Sequence, residues 1–211
     1  QSESSRGVEA GGRFSTGSIR FDVAAYRTRY DDFIQSRQVV GVDPASGLVI
    51  FQSINVDEVE IDGIEARMDW APQWFPEGMT LRLAAAWSEG DNLENGEPLN
   101  AVAPLNAVLG VKYDAASGRW GGSFLARGAA GPDRLDESEG PLYVPGGYVV
   151  FDATAWFRPT PQSRIRAGLF NLTDKAYTKW LDVAGLPESV PNPEQFRSPG
   201  FNVGLVFDFE F

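Results

Sequence analysis

The final eleven residues, FNVGLVFDFEF, constrain this chain more than any other stretch. Phe201, Val203, Leu205, Phe207, Phe209 and Phe211 alternate with Asn202, Gly204, Asp208 and Glu210. A two-residue period belongs to a strand whose side chains point alternately to opposite faces. One face here is apolar and largely aromatic, and the sequence ends on it. A soluble sheet covers such a face with a second layer. A barrel strand in a membrane leaves it against hydrocarbon and turns its polar face to a wet lumen.

Composition is consistent with that reading and removes others. Hydrophobic residues make up 43% of the 211, yet no apolar run approaches the roughly 20 residues that a membrane-spanning helix needs. Any crossing must therefore use a closed sheet, the other architecture that satisfies every backbone group in lipid. Histidine and cysteine are both absent, which removes disulfides, zinc clusters and His-dependent chemistry from this segment. A net charge of -11 argues against a nucleic-acid surface and fits acidic, water-facing loops. No secretory leader is present, so an exported protein would be represented here in mature or truncated form.

Alternation recurs along the whole chain, giving about nine strands. Residues 4–15 form the first, and Ile19, Phe21 and Val23 open a second that ends near YDDFI. The polar GVDPASG excursion follows. A third strand starts near Leu48, with Ile64, Ala66, Met68 and Trp70 on one face and Gly63, Glu65, Arg67 and Asp69 on the other. Val59 and Ile61 have the opposite parity, which predicts a bulge near Asp62 and Gly63. Strands then begin at Met79, Ala107, residue 119, Val149 and Ile165, the last running beyond NLTDKAY, before the terminal strand. Short links alternate with long acidic loops, the arrangement of bacterial outer-membrane barrels with periplasmic turns and extracellular loops. Such barrels have even strand numbers, so nine implies the C-terminal part of a larger one.

Several motifs resemble the TonB-dependent outer-membrane receptors. SESSRGVEAGGRF carries Glu9 and Gly11, INVDEVEIDGIEARMDW carries Asn55, Gly63 and Glu65, and NLTDKAY precedes the aromatic final strand. YDDFI, EPLNAVAPLNAVLGVKYD, PGGYVVFDATAW and KAYTKWLDVAGL resemble the haem and haemoprotein receptors of that family more than its siderophore receptors. The resemblance implies an all-β, antiparallel transmembrane β-barrel of about 22 strands, of which residues 1–211 are the C-terminal portion. It further implies a plug domain, N-terminal strands and a TonB-contacting segment upstream. The implied function is import of an iron source across the outer membrane of a Gram-negative bacterium, energised through TonB, with haem as transported ligand, no covalently bound cofactor and no catalysis. Its partners would be outer-membrane lipid and lipopolysaccharide, the TonB complex, and haem or a haemoprotein. A ferric siderophore receptor and a soluble carbohydrate-binding domain are the rival readings.

Individual side chains carry further expectations. The adjacent Asp31 and Asp32 read as a solvated strand end, and DNLENGEP as a solvated loop rather than a cation site. Asn171 and Asp174 read as bonded to nearby backbone. The six tryptophans, Trp70, Trp74, Trp87, Trp120, Trp156 and Trp180, read mostly as an interfacial girdle. Arg20, Arg82, Arg164 and Arg166 fall on the lumen parity. Met68 and Met79 fall on the lipid parity, so a haem iron would take its axial ligands from upstream of this segment. The loops around 131–146 and 181–198 would wall the ligand path, with Tyr143, Trp180, Leu186 and Phe196 offering apolar surface.

Overall fold

The computed structural model describes residues 2–210, without the side chains of residues 36–39, 42, 49 and 57, so Phe211 lies outside the described residues. Among the described residues, nine strands form one antiparallel sheet in sequential order. They are β1 (Ser4–Ser15), β2 (Ile19–Val42), β3 (Val49–Trp70), β4 (Met79–Asn92), β5 (Asn106–Asp114), β6 (Trp120–Ala129), β7 (Tyr148–Phe157), β8 (Ser163–Phe170) and β9 (Asn202–Phe209). Each strand pairs with the next, and β1 and β9 are the two edges. Connections at one end are short, covering 16–18, 71–78, 115–119 and 158–162. At the other end β2 and β3 meet in a tight tip, and the loops 93–105, 130–147 and 171–201 are long. The last of these holds a single helical turn, α1 (Trp180–Val183), and a 3-10 turn (Pro193–Phe196).

The register separates two faces. Phe21, Met68, Leu83 and Leu109 stand side by side on the outer face, as do Ile165 and Phe207, Ala167 and Leu205, and Leu169 and Val203. Most of the large apolar side chains on this face are exposed, Leu205 at 73%. The inner face carries Arg20, Asp22, Glu65, Arg67, Asp69, Arg82, Lys112, Arg164, Arg166 and Asp208. All four arginines expected on the lumen side are there, and both methionines face outward.

No bulge occurs at Asp62 and Gly63. The β2–β3 and β3–β4 registers run without interruption through both residues. The shifts in β2 lie higher, between Gln35 and Gln38 and between Val39 and Gly41. What changes at Asp62 is the environment of the outer face. Ala25, Ile64 and Trp87 form one cross-strand row; the next is Arg27, Asp62 and Glu89, and the next Arg29, Glu60 and Asp91. Arg27 is bidentate to Asp62 at 2.6 and 2.8 Å, Arg29 reaches Glu60 at 3.1 Å, and Arg134 spans Glu89 and Asp91 at 3.2 and 2.6 Å. The apolar residues of this level, Val59 and Ile61, turn inward, and Val59 is fully buried. From Trp70 to Asp62, eight steps of ~3.4 Å at ~40° tilt give about 20 Å of height, close to the apolar band of an outer-membrane barrel.

Two other boundaries differ from the sequence expectation. β2 continues past YDDFI to Val42, leaving GVDPASG as a short tip in which Gly47 N–H donates to the Asp43 carbonyl at 2.8 Å. β8 stops at Phe170, before NLTDKAY, because Asn171 and Asp174 adopt left-handed φ of 49° and 50°. The Asn171 side chain holds that turn, donating to the carbonyls of Lys175 and Pro199 and accepting from Lys175 N–H. Asp174 accepts from Phe201 N–H at 2.8 Å, tying the turn to the start of β9. Both residues therefore bond backbone, as expected.

The six tryptophans occupy four environments, four of the residues lying at the two boundaries of the apolar band. Trp70, Trp74 and Phe75 make edge contacts at the short-turn rim, where Tyr113 also meets Trp120. Trp87 stands at the opposite boundary of the apolar band. Trp156, by contrast, faces inward beneath the Arg164 guanidinium, 4.7 Å from its ring centre, and Trp180 is buried among the loops.

Candidate functional site

The sheet offers two surfaces that could carry a site, the inner wall and the long-loop end. The inner wall is a lattice of paired charge. Asp22 accepts from Arg13 and, at 3.2 Å, from Arg20. Asp69 sits between Arg82 at 2.8 Å and Arg67 at 3.7 Å, Lys112 meets Asp114 at 2.6 Å, and Asp208 accepts both arms of Arg166. Higher up, Arg127 donates to Asp152, which is only 3% exposed and also accepts Asn171 N–H at 2.9 Å. Asp152 is the buried member of these pairs, so removing Arg127 would leave it an uncompensated charge. Glycines permit close approach at two places. Tyr26 lies flat across Gly63, where an added Cβ would fall 2.4 Å from the ring. Leu99 and Val102 fold onto Gly90 of the inner wall, bringing the 93–105 loop over the lumen side.

The three long loops form one cap. Asn100 is its junction: its side chain donates to the Asp136 carbonyl at 2.8 Å and accepts Asp136 N–H at 3.0 Å, while its own carbonyl accepts the Trp180 indole N–H at 2.9 Å. One residue thus joins loops 93–105, 130–147 and 171–201. Backbone bonds reinforce the join, Tyr143 N–H to Leu186 at 2.8 Å and Glu188 N–H to Pro141 at 2.9 Å. Trp180, Val183, Leu186 and Val190 form the core of the cap, with Leu135, Leu142, Tyr143, Ala184 and Phe196 packed around it.

The structure brings together all four residues expected to line the ligand path, Tyr143, Trp180, Leu186 and Phe196, but as a core. Trp180 is 5% exposed and Leu186 1%, so neither presents surface to a ligand in this arrangement. They hold the cap together. Sequence reasoning missed Asn100; only its place in a polar loop was legible, because its partners are 36 and 80 residues away. In the DNLENGEP loop, Asn92 and Asn95 side chains accept the N–H groups of Glu94 and Glu97, both at 2.9 Å, and Asp91 is held by Arg134. These contacts engage the side-chain oxygens of Asn92, Asn95 and Asp91. Asp31, on the outer face, accepts from Ser4 and Arg6, whereas Asp32 takes a left-handed φ of 56° and its carbonyl accepts from the Asn55 side chain.

The cap and the β2–β3 tip frame a cleft of about 670 Å³, with Gln35, Val40, Ile54 and Val56 on the ribbon side and Leu99 and Leu142 on the cap side. A smaller cavity of about 270 Å³ lies beneath α1 against the inner wall, with Arg127, Tyr148, Lys179 and Leu181 among its lining.

Known proteins place this architecture. Residues 1–172 match the family described as TonB dependent receptor-like, beta-barrel. Hemoglobin-haptoglobin utilization protein B of Neisseria meningitidis is 25% identical over all of this chain and 31% of its own length. Lactoferrin-binding protein A from the same species is 22% identical over 90% of the chain and 23% of its own length. Among solved structures, the copper transporter OprC superposes with a TM-score of 0.80 over 99% of the chain and 31% of its own, at 22% identity. The FrpB iron transporter from Neisseria meningitidis does so at 0.68, with 100% and 31% coverage and 15% identity. The chain spans about a third or less of the length of the relatives it matches, and over that span it belongs to the β-barrel of the TonB-dependent receptor family.

Proposed function

We propose that this chain is the C-terminal part of an outer-membrane receptor that imports an iron source, with haem drawn from a haemoprotein as its cargo. TonB energises the transport, and the chain carries out no catalysis. The observation that carries the substrate reading is the match, along the entire chain, to a haemoglobin-haptoglobin utilisation protein. Other curated relatives at 22–24% identity over about nine-tenths of the chain are also described as haemoglobin-binding. Siderophore receptors appear among the superposable structures at 16–18% identity, which bears on fold alone. The exposed apolar outer face, bounded by Trp70 and Trp87, supports placement in the outer membrane. Lipid then covers that face, and lipopolysaccharide headgroups meet the charged rows above it.

A deletion strain complemented with the full-length gene and starved of iron tests the reading, grown on haem, haemoglobin or ferric siderophores. Growth on haem and haemoglobin alone is the expected result. Rescue only by a siderophore overturns the substrate class.

A further inference from the structure

Among the described residues, one side-chain polar atom is buried without a hydrogen-bond partner, Nε of Arg164. A buried donor without an acceptor is rare in a folded protein. Arg164 stands near the start of β8 and faces inward, at the short-turn end of the lumen. Every other strand arginine of the inner wall holds a carboxylate. Arg13 and Arg20 share Asp22, Arg67 and Arg82 share Asp69, Arg127 takes Asp152, and Arg166 takes both oxygens of Asp208. Asp208 is the direct cross-strand neighbour of Arg164, yet its oxygens go to Arg166. What Arg164 meets instead is an indole. Trp156 lies across Gly121, where an added Cβ would fall 2.6 Å from the ring nitrogen, and the Arg164 guanidinium sits 4.7 Å from the ring centre. Arg158 approaches the same ring at 5.4 Å. A cation held on an aromatic face keeps its N–H groups for a further partner.

The pocket beside Arg164 has the chemistry of an anion site. It measures about 210 Å³, and its charged lining is Arg82, Lys112 and Arg164 against Asp114 alone. Arg82 and Lys112 are already paired, so the uncompensated charge belongs to Arg164. Ser123 and Thr154 also line it, and their hydroxyls bond each other at 2.8 Å, which uses one hydroxyl hydrogen and leaves the other for an acceptor. A planar carboxylate matches the guanidinium fork and repeats the pairing found along the rest of the wall. We propose that Arg164 is the centre of a carboxylate-binding subsite at the short-turn end of the lumen, filled by a carboxylate that the described residues do not supply. The carboxylate comes from the cargo or from another part of the receptor. Haem carries carboxylates on its rim, and an acidic side chain upstream of this segment carries the same group. The subsite rests on the geometry of the wall, and only the cargo as its source rests on the haemoprotein reading.

The test uses the full-length receptor in energised, iron-starved cells, with heat-modifiable mobility as the folding control. Arg164→Lys places an amine at the subsite, and a water-soluble carbodiimide joins that amine to a touching carboxylate as an amide, the reagent taking up the water released. Peptide mass spectrometry reads the product with and without added haem. Lys112, 2.6 Å from Asp114, is the internal control, its peptide losing water as the two couple. The expected result is a position-164 peptide that gains the mass of haem when haem is supplied, or one linked to a receptor peptide from outside residues 1–211. The first identifies the cargo as the source and the second the receptor, and either supports the subsite. An amide to Asp208 or Glu210 overturns it, because the wall would then compensate its own arginine. No product at position 164 while Lys112 and Asp114 couple overturns it as well. A receptor that binds no haem yet gives the receptor-peptide product refutes the haemoprotein reading and leaves the subsite standing, so the two failures are distinct.

Discussion

Trp180 is the side chain whose loss most directly tests whether three long loops behave as one cap. Its ring is 5% exposed in the cap core, and its indole N–H reaches the Asn100 carbonyl at 2.9 Å. Trp180→Ala removes a large buried aromatic, a change that costs about 3–5 kcal/mol where the site cannot collapse. It also leaves the Asn100 carbonyl without its donor. The sheet does not depend on this residue, because every strand pairs with its neighbour along a continuous ladder. The cost therefore falls on local opening of the cap rather than on global unfolding. At 1.4 kcal/mol per decade, amide exchange inside the cap should accelerate by roughly two to three and a half orders of magnitude. The reporters are Tyr143 N–H and Glu188 N–H, which bond across loops to Leu186 and Pro141. Hydrogen exchange by mass spectrometry on the full-length receptor in nanodiscs reads them alongside strand amides from β5 and β9. Trp180→Phe keeps most of the apolar volume and loses the donor, so it should accelerate exchange about tenfold. Unchanged exchange at 143 and 188 in the alanine variant would refute the single-cap argument, and so would equal acceleration in the strands.

Three further outcomes follow from the same geometry. Leu205→Arg puts a charge on the most exposed part of the outer face and should cost about 2–4 kcal/mol near the bilayer midplane in a urea titration in vesicles. Arg29→Leu, in the charged rows above, should leave the same titration unchanged within error. Arg127→Met strands Asp152, which is 3% exposed, and should cost about 3–5 kcal/mol; adding Asp152→Asn should recover part of the loss in the same assay. At the ribbon tip, the Ser46 hydroxyl and Ala45 N–H hold the Asp43 carboxyl below the usual carboxylate range. A depressed folded-state value stabilises the tip above the ordinary carboxylate pKa and is lost as pH falls through the lowered one. Exchange at Gly47 N–H, referenced to an unstructured amide, should rise below about pH 4, and Asp43→Asn should abolish that dependence.

What was legible in the sequence were the features that depend on period. Alternation in β5, β7 and β9, and in β4 as far as Trp87, gave face and register because over those lengths each strand keeps one solvent on each side. Lumen arginines and lipid-facing methionines followed from parity alone. The ends of strands were less accessible, since they depend on particular side chains at particular backbone angles. Asn171 and Asp174 end β8 by entering the left-handed region, whereas the surrounding NLTDKAY carries no break in hydropathy that would announce it. The cap was the least legible element. Asn100, Asp136 and Trp180 lie in three different loops, and nothing local to any of them indicates the other two. Tyr143, Trp180, Leu186 and Phe196 were picked out for being apolar in polar loops, and that signal is the same for a side chain awaiting a ligand and for one packed against its neighbours.

The phase change in β3 shows what a hydropathy pattern encodes. Ile61 and Ile64 are three residues apart and both apolar, so they cannot share a face of one regular strand. A bulge reconciles them if the outer face is apolar along its whole length. The unbroken pairing of Ile61 with Thr28 and of Ile64 with Ala25 removes that premise. The strand is regular, and the medium outside it changes from lipid at Ile64 to water at Asp62. Above that line the polar residues belong outside, where Arg27, Arg29, Glu60 and Asp62 pair, and the apolar ones belong inside, where Val59 is buried. An inversion of parity in a long barrel strand therefore marks the water line.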